Sequence, residues 1–144
     1  MFNYVLLLIA FFSVVNNSLF AIEIQINAPD YQGKNVKWRK KTDYITNQYQ
    51  LLAESKIDTN GLVTLNKKIE KIELTEIVIG KSFGILYLDT ATQFYNIYFP
   101  KDTVLDTMSL KKNQIQLVFL DLPDNDINRL ILDFNLQYLS LIHI

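Results

Sequence analysis

The sequence predicts a mainly β protein: an antiparallel β-sandwich of seven or eight strands, with a C-terminal α-helix and an N-terminal signal helix. Three observations lead to this fold class. Short runs alternate apolar and polar residues with a period of two, which is typical of half-buried strands. Turn residues separate these runs closely, and no stretch between them is long enough for the βαβ crossovers of a parallel sheet. Near Leu122 the apolar period becomes that of a helix.

The composition fits one folded domain. The chain has 144 residues, of which 49% are hydrophobic and 20% charged, so a single apolar core is feasible. The 14 Lys and Arg residues nearly balance the 15 Asp and Glu residues, and this balance gives no reason to expect a nucleic acid partner. The chain has no Cys, which excludes disulfides, thiolate metal sites and cysteine nucleophiles.

The N-terminal segment predicts export. Val5–Val15 is uncharged and apolar, and it is shorter than the roughly 20 residues needed to span a bilayer. A polar stretch and the small residue Ala21 follow, which is the pattern of a cleaved secretory signal. A membrane anchor or a buried N-terminal strand is the alternative. We therefore expect a signal peptide at 1–21, and a mature protein in the periplasm, on the outer surface or secreted, with no stable membrane span after cleavage.

Strand candidates begin directly after this segment. Ile22–Asn27 alternates Ile with polar residues, and a turn at Pro29–Gly33 leads to Val36–Arg39, which has one basic face. Lys40–Gln48 is polar and is expected to be a connection. Two further runs are joined by Asn60-Gly61, the strongest short hairpin signal because both residues accept positive φ. These two runs are Tyr49–Ile57 and the segment that begins at Leu62.

The remaining strand candidates have close connections. Ile72–Ile79, Phe83–Asp89 and Gln93–Phe99 follow one another, and the third ends at Pro100. Gln114–Leu120 is the last candidate. The number and spacing of the strands favour a sandwich of immunoglobulin-like or transthyretin-like type over residues 22–121.

A helix is predicted from Asp126 onward, because acidic residues and Asn favour a helix N-terminus. Its apolar residues fall on two sides, so burial on both sides is expected. The side predicted to dock comprises Ile127, Leu130, Ile131, Phe134 and Tyr138, and the opposite side comprises Leu132, Leu136 and Leu139. We accordingly interpret residues 122–144 as the start of a truncated helical region, and residues 140–144 resemble a translated sequencing adapter, which leaves open whether they are native. A genuine short apolar tail is the alternative.

One basic cluster is the candidate interaction patch. It consists of Lys34, Lys37, Trp38, Arg39, Lys40 and Lys41. Such a cluster would attract an anionic glycan, a lipid or an acidic protein surface. The alternative, which we favour, is the solvated face of an edge strand, where Lys discourages edge-to-edge pairing.

Other candidate sites have simpler structural explanations. His143 has no second ligand at metal spacing. The acidic group Asp121, Asp124 and Asp126 would suit calcium, but a helix start explains it better. Tyr95, Tyr98 and Phe99 would stack on a sugar, but core packing is the more common role of such residues. We therefore predict no catalytic residue, no cofactor and no metal site.

Several motifs resemble a small β-domain that lies at the N-terminus of many exported envelope proteins of Bacteroidota. The similarity extends from Ile22 to Tyr138. Its motifs are Asp30-Tyr31-x-Gly33-Lys34, Asp43-Tyr44-Ile45, Ile57-Asp58-x-Asn60-Gly61, Leu86-Tyr87-Leu88, Tyr95-x-Ile97-x-Phe99-Pro100 and Asp126-Ile127-Asn128-x-Leu130-Ile131-x-x-Phe134. Some relatives carry a thioredoxin-like domain downstream. The resemblance implies no catalytic residue in this chain, because no Cys-x-x-Cys motif is present.

Two functions follow as expectations. The first is a non-catalytic, exported β-sandwich domain that is a structural or interaction module of a larger envelope protein. Its partner would be the downstream part of its own chain or another envelope protein. The second is the accessory N-terminal domain of an envelope thioredoxin-like thiol-disulfide oxidoreductase, whose redox domain would follow this sequence.

Overall fold

The computed structural model describes residues 21–69, 71–103 and 113–142. Two mixed sheets, of four and five strands, pack together and are followed by one helix, so the predicted mainly β fold is confirmed. The predicted signal peptide, apart from Ala21, and His143 lie outside the described residues. The elements are β1 (Ala21–Asn27), β2 (Asn35–Asp43), β3 (Gln48–Lys56), β4 (Leu62–Lys68), β5 (Glu73–Ile79), β6 (Ser82–Leu88), β7 (Phe94–Tyr98), β8 (Asn113–Ile115), β9 (Val118–Phe119) and α1 (Ile127–Ile142).

The strand order differs from the expected antiparallel sandwich in two pairs. The four-stranded sheet has the order β4-β1-β7-β9, and the five-stranded sheet has the order β3-β2-β5-β6-β8. β1 runs parallel to β7, and β6 runs parallel to β8. In both cases the chain passes through the opposite sheet before it returns, so the parallel pair needs no helical crossover.

β2 is an interior strand, so the prediction that it is a solvated edge strand is wrong. It pairs with β3 on one side and with β5 on the other. The expected polar connection is also shorter than predicted, because β2 continues to Asp43 and β3 begins at Gln48. Lys40 pairs with Thr75 of β5, and beyond it β2 continues through its pairing with β3 alone, where Lys41 stands opposite Tyr49.

The core lies between the two sheets and follows the predicted alternation. Ile22, Ile24 and Ile26 of β1 are all buried, as expected. The ring of Tyr31 meets that of Phe99 edge-on, with a centroid distance of 5.4 Å. The largest fully buried side chains are Trp38, Tyr95, Phe99, Ile22, Ile24, Ile26, Ile57, Ile77, Ile79, Leu86, Leu88 and Ile97.

The last predicted strand is divided between the two sheets. β8 pairs with β6 in one sheet and β9 pairs with β7 in the other. Between them, Leu117 is buried in the core. Gly84 makes room for it, since a Cβ on Gly84 would clash with the Leu117 side chain. The chain therefore crosses from one sheet to the other at Leu117, whose side chain is buried in the core.

The predicted tight turn after β3 is present. Gly61 has a φ of +79°, which favours glycine. The Asp58 carboxylate accepts hydrogen bonds from the backbone N–H groups of Asn60 and Leu62, at 2.9 and 2.8 Å. The turn joins β3 of one sheet to β4 of the other rather than two paired neighbours.

Candidate interaction surface

The predicted basic cluster is divided between the two sides of β2. Lys37 is exposed and Arg39 is half-buried on the outer side of the five-stranded sheet, whereas Trp38 points into the core and is fully buried. The inclusion of Trp38 in an exposed patch is therefore wrong, because side chains alternate along a strand. The indole Nε1 of Trp38 has no hydrogen-bond partner among the described residues, so the ring stabilises the fold through apolar burial.

Carboxylates on neighbouring strands pair with three of the basic residues. The Arg39 guanidinium donates to Glu76 Oε2 from Nη2 at 2.6 Å and from Nε at 2.9 Å. Lys40 Nζ lies 3.0 Å from Glu73 Oε1. Lys37 Nζ lies 4.0 Å from Glu54 Oε1, in a more exposed pair. These pairs connect β2 to both neighbouring strands and reduce the positive charge available to an anionic ligand.

Tyrosine rings occupy the remaining space beside these cations. The guanidinium carbon of Arg39 lies 3.6 Å from the centroid of the Tyr49 ring, at cation–π distance. Lys41 Nζ lies 5.3 Å from the ring centroid of Tyr44. Lys34 lies in the loop before β2, with its Nζ 5.1 Å from the ring centroid of Tyr31, and borders the same surface cavity as Lys37. The larger part of the predicted cluster thus forms contacts within the sheet.

A buried carboxylate anchors the start of α1. Asp126 is fully buried, and its Oδ2 accepts hydrogen bonds from Thr92 Oγ1 at 2.6 Å and from the Tyr95 hydroxyl at 3.1 Å. Its Oδ1 accepts from the backbone N–H and from the side-chain amide of Asn128, both at 2.8 Å. Asp126 therefore caps the helix, as the helix-start interpretation predicts, and also joins it to the sandwich.

The Tyr95 hydroxyl belongs to the same buried network. It accepts a hydrogen bond from the backbone N–H of Asp89 at 2.9 Å while it donates to Asp126. Burial, followed by the nearby Asp126 charge, raises the pKa of Tyr95 well above its ordinary value. Tyr95 and Phe99 are both fully buried, so the core interpretation holds for these two residues and stacking on a sugar is excluded for them.

Asn128 completes the anchor because its side chain forms hydrogen bonds with the backbone of β6. Its Oδ1 accepts from the backbone N–H of Tyr87 at 2.9 Å, and its Nδ2 donates to the Tyr87 carbonyl at 2.7 Å. β8 pairs only with residues 82–84 of β6, so Asn128 binds the same strand beyond that short pairing. We call Asp126 and Asn128 the polar clip.

After the polar clip, most side chains of α1 are exposed to solvent. The side predicted to dock on the sandwich does so only in part: Ile127 and Ile131 are half-buried, whereas Leu130, Phe134 and Tyr138 are exposed. Ile131 and the half-buried Leu132 border a groove of about 840 Å³ between α1 and the five-stranded sheet. Both predicted sides of the helix therefore contribute one residue to this groove.

The exposed surface of α1 is aromatic and aliphatic. Phe134 and Tyr138 stack with a centroid distance of 6.1 Å and an interplanar angle of 13°. Leu136, on the side predicted to lie bare, is 67% exposed. Arg129 and Asp133 form an exposed pair one turn apart at 3.3 Å. We call Leu130, Phe134 and Tyr138, which share one side of the helix, the α1 apolar surface.

Within the described residues, no group of three or more His, Cys, Asp or Glu side chains is placed to hold a metal ion. In the same part of the chain, no helix is long and apolar enough to cross a membrane. No family model and no curated protein matches the sequence.

Sequence reasoning missed the two features that define this region. The role of Asn128 depends on Tyr87, which lies 41 positions earlier in the chain. The stacking of Arg39 on Tyr49 depends on the register of β2 and β3, where Lys41 stands opposite Tyr49. For Asn128, the sequence signal was a polar residue in the first turn of an otherwise apolar helix. Burial is only one of several explanations for such a residue.

Proposed function

We propose that this chain is a non-catalytic, exported β-sandwich domain that serves as an interaction module of a larger envelope protein, with the α1 apolar surface as its contact. The observation that carries the proposal is the exposure of three large apolar side chains on one side of α1. Leu130, Phe134 and Tyr138 are each more than half exposed. A contiguous exposed apolar surface of this kind marks an interaction site in a soluble domain.

The way α1 is held supports a binding role. The polar clip attaches the first turn through buried hydrogen bonds, so the helix is presented in a defined orientation before any partner is present. Preorganisation of this kind lowers the entropy lost on binding. The expected partner is an apolar segment, from the downstream part of the same chain or from another envelope protein, that covers α1 and fills the groove beside it.

The first test uses self-association of the mature chain that begins near Ile22, because uncovered apolar surfaces of two copies also cover each other. We expect concentration-dependent oligomers in sedimentation velocity, and we expect Leu130→Ser combined with Phe134→Ser to abolish them. The matched control is Leu51→Ser combined with Val118→Ser, which removes two exposed apolar side chains from the sandwich. Equal behaviour of the two variants, or a monomer at all concentrations, would contradict the proposal.

Export is tested separately by the N-terminus of the mature protein. If the Val5–Val15 run is a signal, N-terminal sequencing of exported protein starts near Ile22. Soluble exported protein that still begins at Met1 would show that the segment is not removed and would exclude a cleaved signal.

A further inference from the structure

A surface cavity lies on the outer side of the five-stranded sheet, where β2 stands between β3 and β5. We call it the β2 cavity. Its volume is about 440 Å³, which falls within the range of about 300–1,000 Å³ that is typical of small-molecule sites. None of its lining residues belongs to α1 or borders the groove beside that helix. The cavity is lined by Lys34, Asn35, Lys37, Glu54, Val78 and Gly80.

One wall of the β2 cavity is apolar, and one part of its rim has no side chain. Val78 stands opposite Lys37 in the pairing of β5 with β2, so it faces the outer side of the sheet, yet it is only 5% exposed. A Cβ added to Gly80 would meet no atom beyond its chain neighbours within 4 Å, so the space beside this glycine is open. The cavity therefore combines an apolar contact with an open entrance, and the less polar face of a sugar ring fits this combination.

Cations outnumber carboxylates around the β2 cavity. Lys34 and Lys37 border it, and Lys56 stands opposite Asn35 in the pairing of β2 with β3. The carboxylate among the lining residues is Glu54, 4.0 Å from Lys37 Nζ, and within the described part of the chain Lys34 and Lys56 form no ion pair. The cations further along β2, by contrast, are matched by carboxylates one to one. The excess of positive charge at the cavity therefore attracts an anionic group.

Hydrogen-bond donors and acceptors lie beside these cations. Asn35 Nδ2 donates one of its two hydrogens to Glu54 Oε1 at 3.1 Å, which leaves the second hydrogen and the amide oxygen for a ligand. The Glu54 carboxylate is an acceptor only, so it favours a ligand that carries hydroxyl groups. An anion without hydroxyl groups would meet the like charge of Glu54 with no hydrogen to donate, which disfavours its binding. The cavity thus suits a carboxylated molecule with several hydroxyl groups.

We propose that the β2 cavity binds a hexuronate, a sugar ring that carries one carboxylate. The carboxylate accepts charge-assisted hydrogen bonds from Lys34 and Lys37. The ring hydroxyls contact Asn35 and Glu54, and the less polar face of the ring lies on Val78. The inference goes beyond the proposed function, since the α1 apolar surface takes no part in it. Self-association tests that surface and sugar binding tests the cavity, so each proposal is able to fail without the other.

The test follows the backbone amide signals of the mature chain by two-dimensional NMR during titration with methyl glucuronoside and methyl galacturonoside. We expect saturable shifts at the residues that line the β2 cavity, and no saturable shifts with methyl glucoside, which has the same ring without the carboxylate. Sodium sulfate supplies an anion without hydroxyl groups, and at equal ionic strength we expect it to bind about tenfold more weakly than the uronosides. Tighter binding of trigalacturonate would identify a polysaccharide as the source of the ring, whereas equal affinity would identify a free sugar.

A charge-matched pair of variants completes the test. Lys34→Gln combined with Lys37→Gln removes both cations from the cavity, and we expect it to weaken uronoside binding about tenfold or more. The control, Lys67→Gln combined with Lys68→Gln, removes the same charge from exposed positions on β4 of the other sheet, and we expect the affinity to stay within about twofold. Far-UV circular dichroism confirms that both variants are folded.

Three results would overturn the proposal. Equal weakening in the two variants would show that net charge, and not the β2 cavity, attracts the sugar. Binding of sulfate or methyl glucoside as tight as that of the uronosides would show that the carboxylate and the hydroxyl groups are not recognised together. Absence of saturable shifts with both uronosides would show that the cavity binds no hexuronate.

Discussion

The sandwich and α1 both have regular apolar patterns, but different interactions hold them in place. In the sandwich, side chains from two sheets cover each other, and Trp38, Tyr95 and Phe99 are fully buried. In α1, buried polar groups at the first turn fix the helix, while Phe134 and Tyr138 remain in solvent. Apolar periodicity therefore shows which residues are suited to burial, whereas burial itself requires a complementary surface.

The largest expected difference is in the free energy of unfolding, when one aromatic residue from each region is replaced. Trp38→Ala removes a fully buried ring, and we expect it to lower the free energy of unfolding by about 3–5 kcal/mol. Phe134→Ala removes an exposed ring, and at concentrations where the chain is monomeric we expect a change within about 0.5 kcal/mol. Urea unfolding followed by circular dichroism measures both. A comparable loss in the two variants would mean that α1 packs on the sandwich in solution.

The same comparison explains how far the sequence predicts this molecule. Alternation in β1 and the turn at Gly61 are local properties, so the sequence predicted both. The position of β2 inside its sheet was not predicted, because its partner β5 lies more than thirty residues further along the chain. The basic residues in β2 resemble an edge, but Arg39 and Lys40 are tolerated in the interior strand because Glu76 and Glu73 stand beside them.

The candidate site was harder to predict than the fold. A helix start at Asp126 follows from residue types near the helix N-terminus. Whether that carboxylate is exposed or buried depends on Thr92 and Tyr95, which belong to a different turn and a different strand. The sequence therefore predicted where α1 begins, but not which of its two apolar sides faces the sheet.

The next effect concerns the polar clip. Asn128→Ala leaves the backbone N–H and carbonyl of Tyr87 without this partner, and a buried group that loses its hydrogen bond costs about 1–3 kcal/mol. Hydrogen exchange should then show lost protection of α1 amides, with β1 amides less affected. The matched control is Asn135→Ala, an exposed change in the same helix that is expected to be neutral or slightly stabilising. Retained protection of α1 in Asn128→Ala would mean that apolar packing holds the helix.

The smallest effect concerns the outer side of the five-stranded sheet, where the ion pairs differ in burial. The side chains of Arg39 and Glu76 are 16% and 15% exposed, and their residues stand directly opposite each other on β2 and β5. A double-mutant cycle with Arg39→Gln and Glu76→Gln is expected to give a coupling of about 0.5–1 kcal/mol, near the upper end for such pairs. The stacking of Arg39 on Tyr49 also restricts the guanidinium, so less side-chain entropy is lost when the pair forms.

The exposed pair on the same surface is the control for this cycle. Lys37 and Glu54 are 4.0 Å apart, and the Lys37 side chain is 55% exposed, so their coupling should be close to zero and should fall further as salt screens it. If the two cycles give equal couplings, burial does not distinguish the pairs, and the basic side of β2 is a solvated surface as the sequence alone suggested. If only the Arg39 pair couples, these charges belong to the sandwich, and the α1 apolar surface is favoured over the basic side of β2 as the contact for a protein partner.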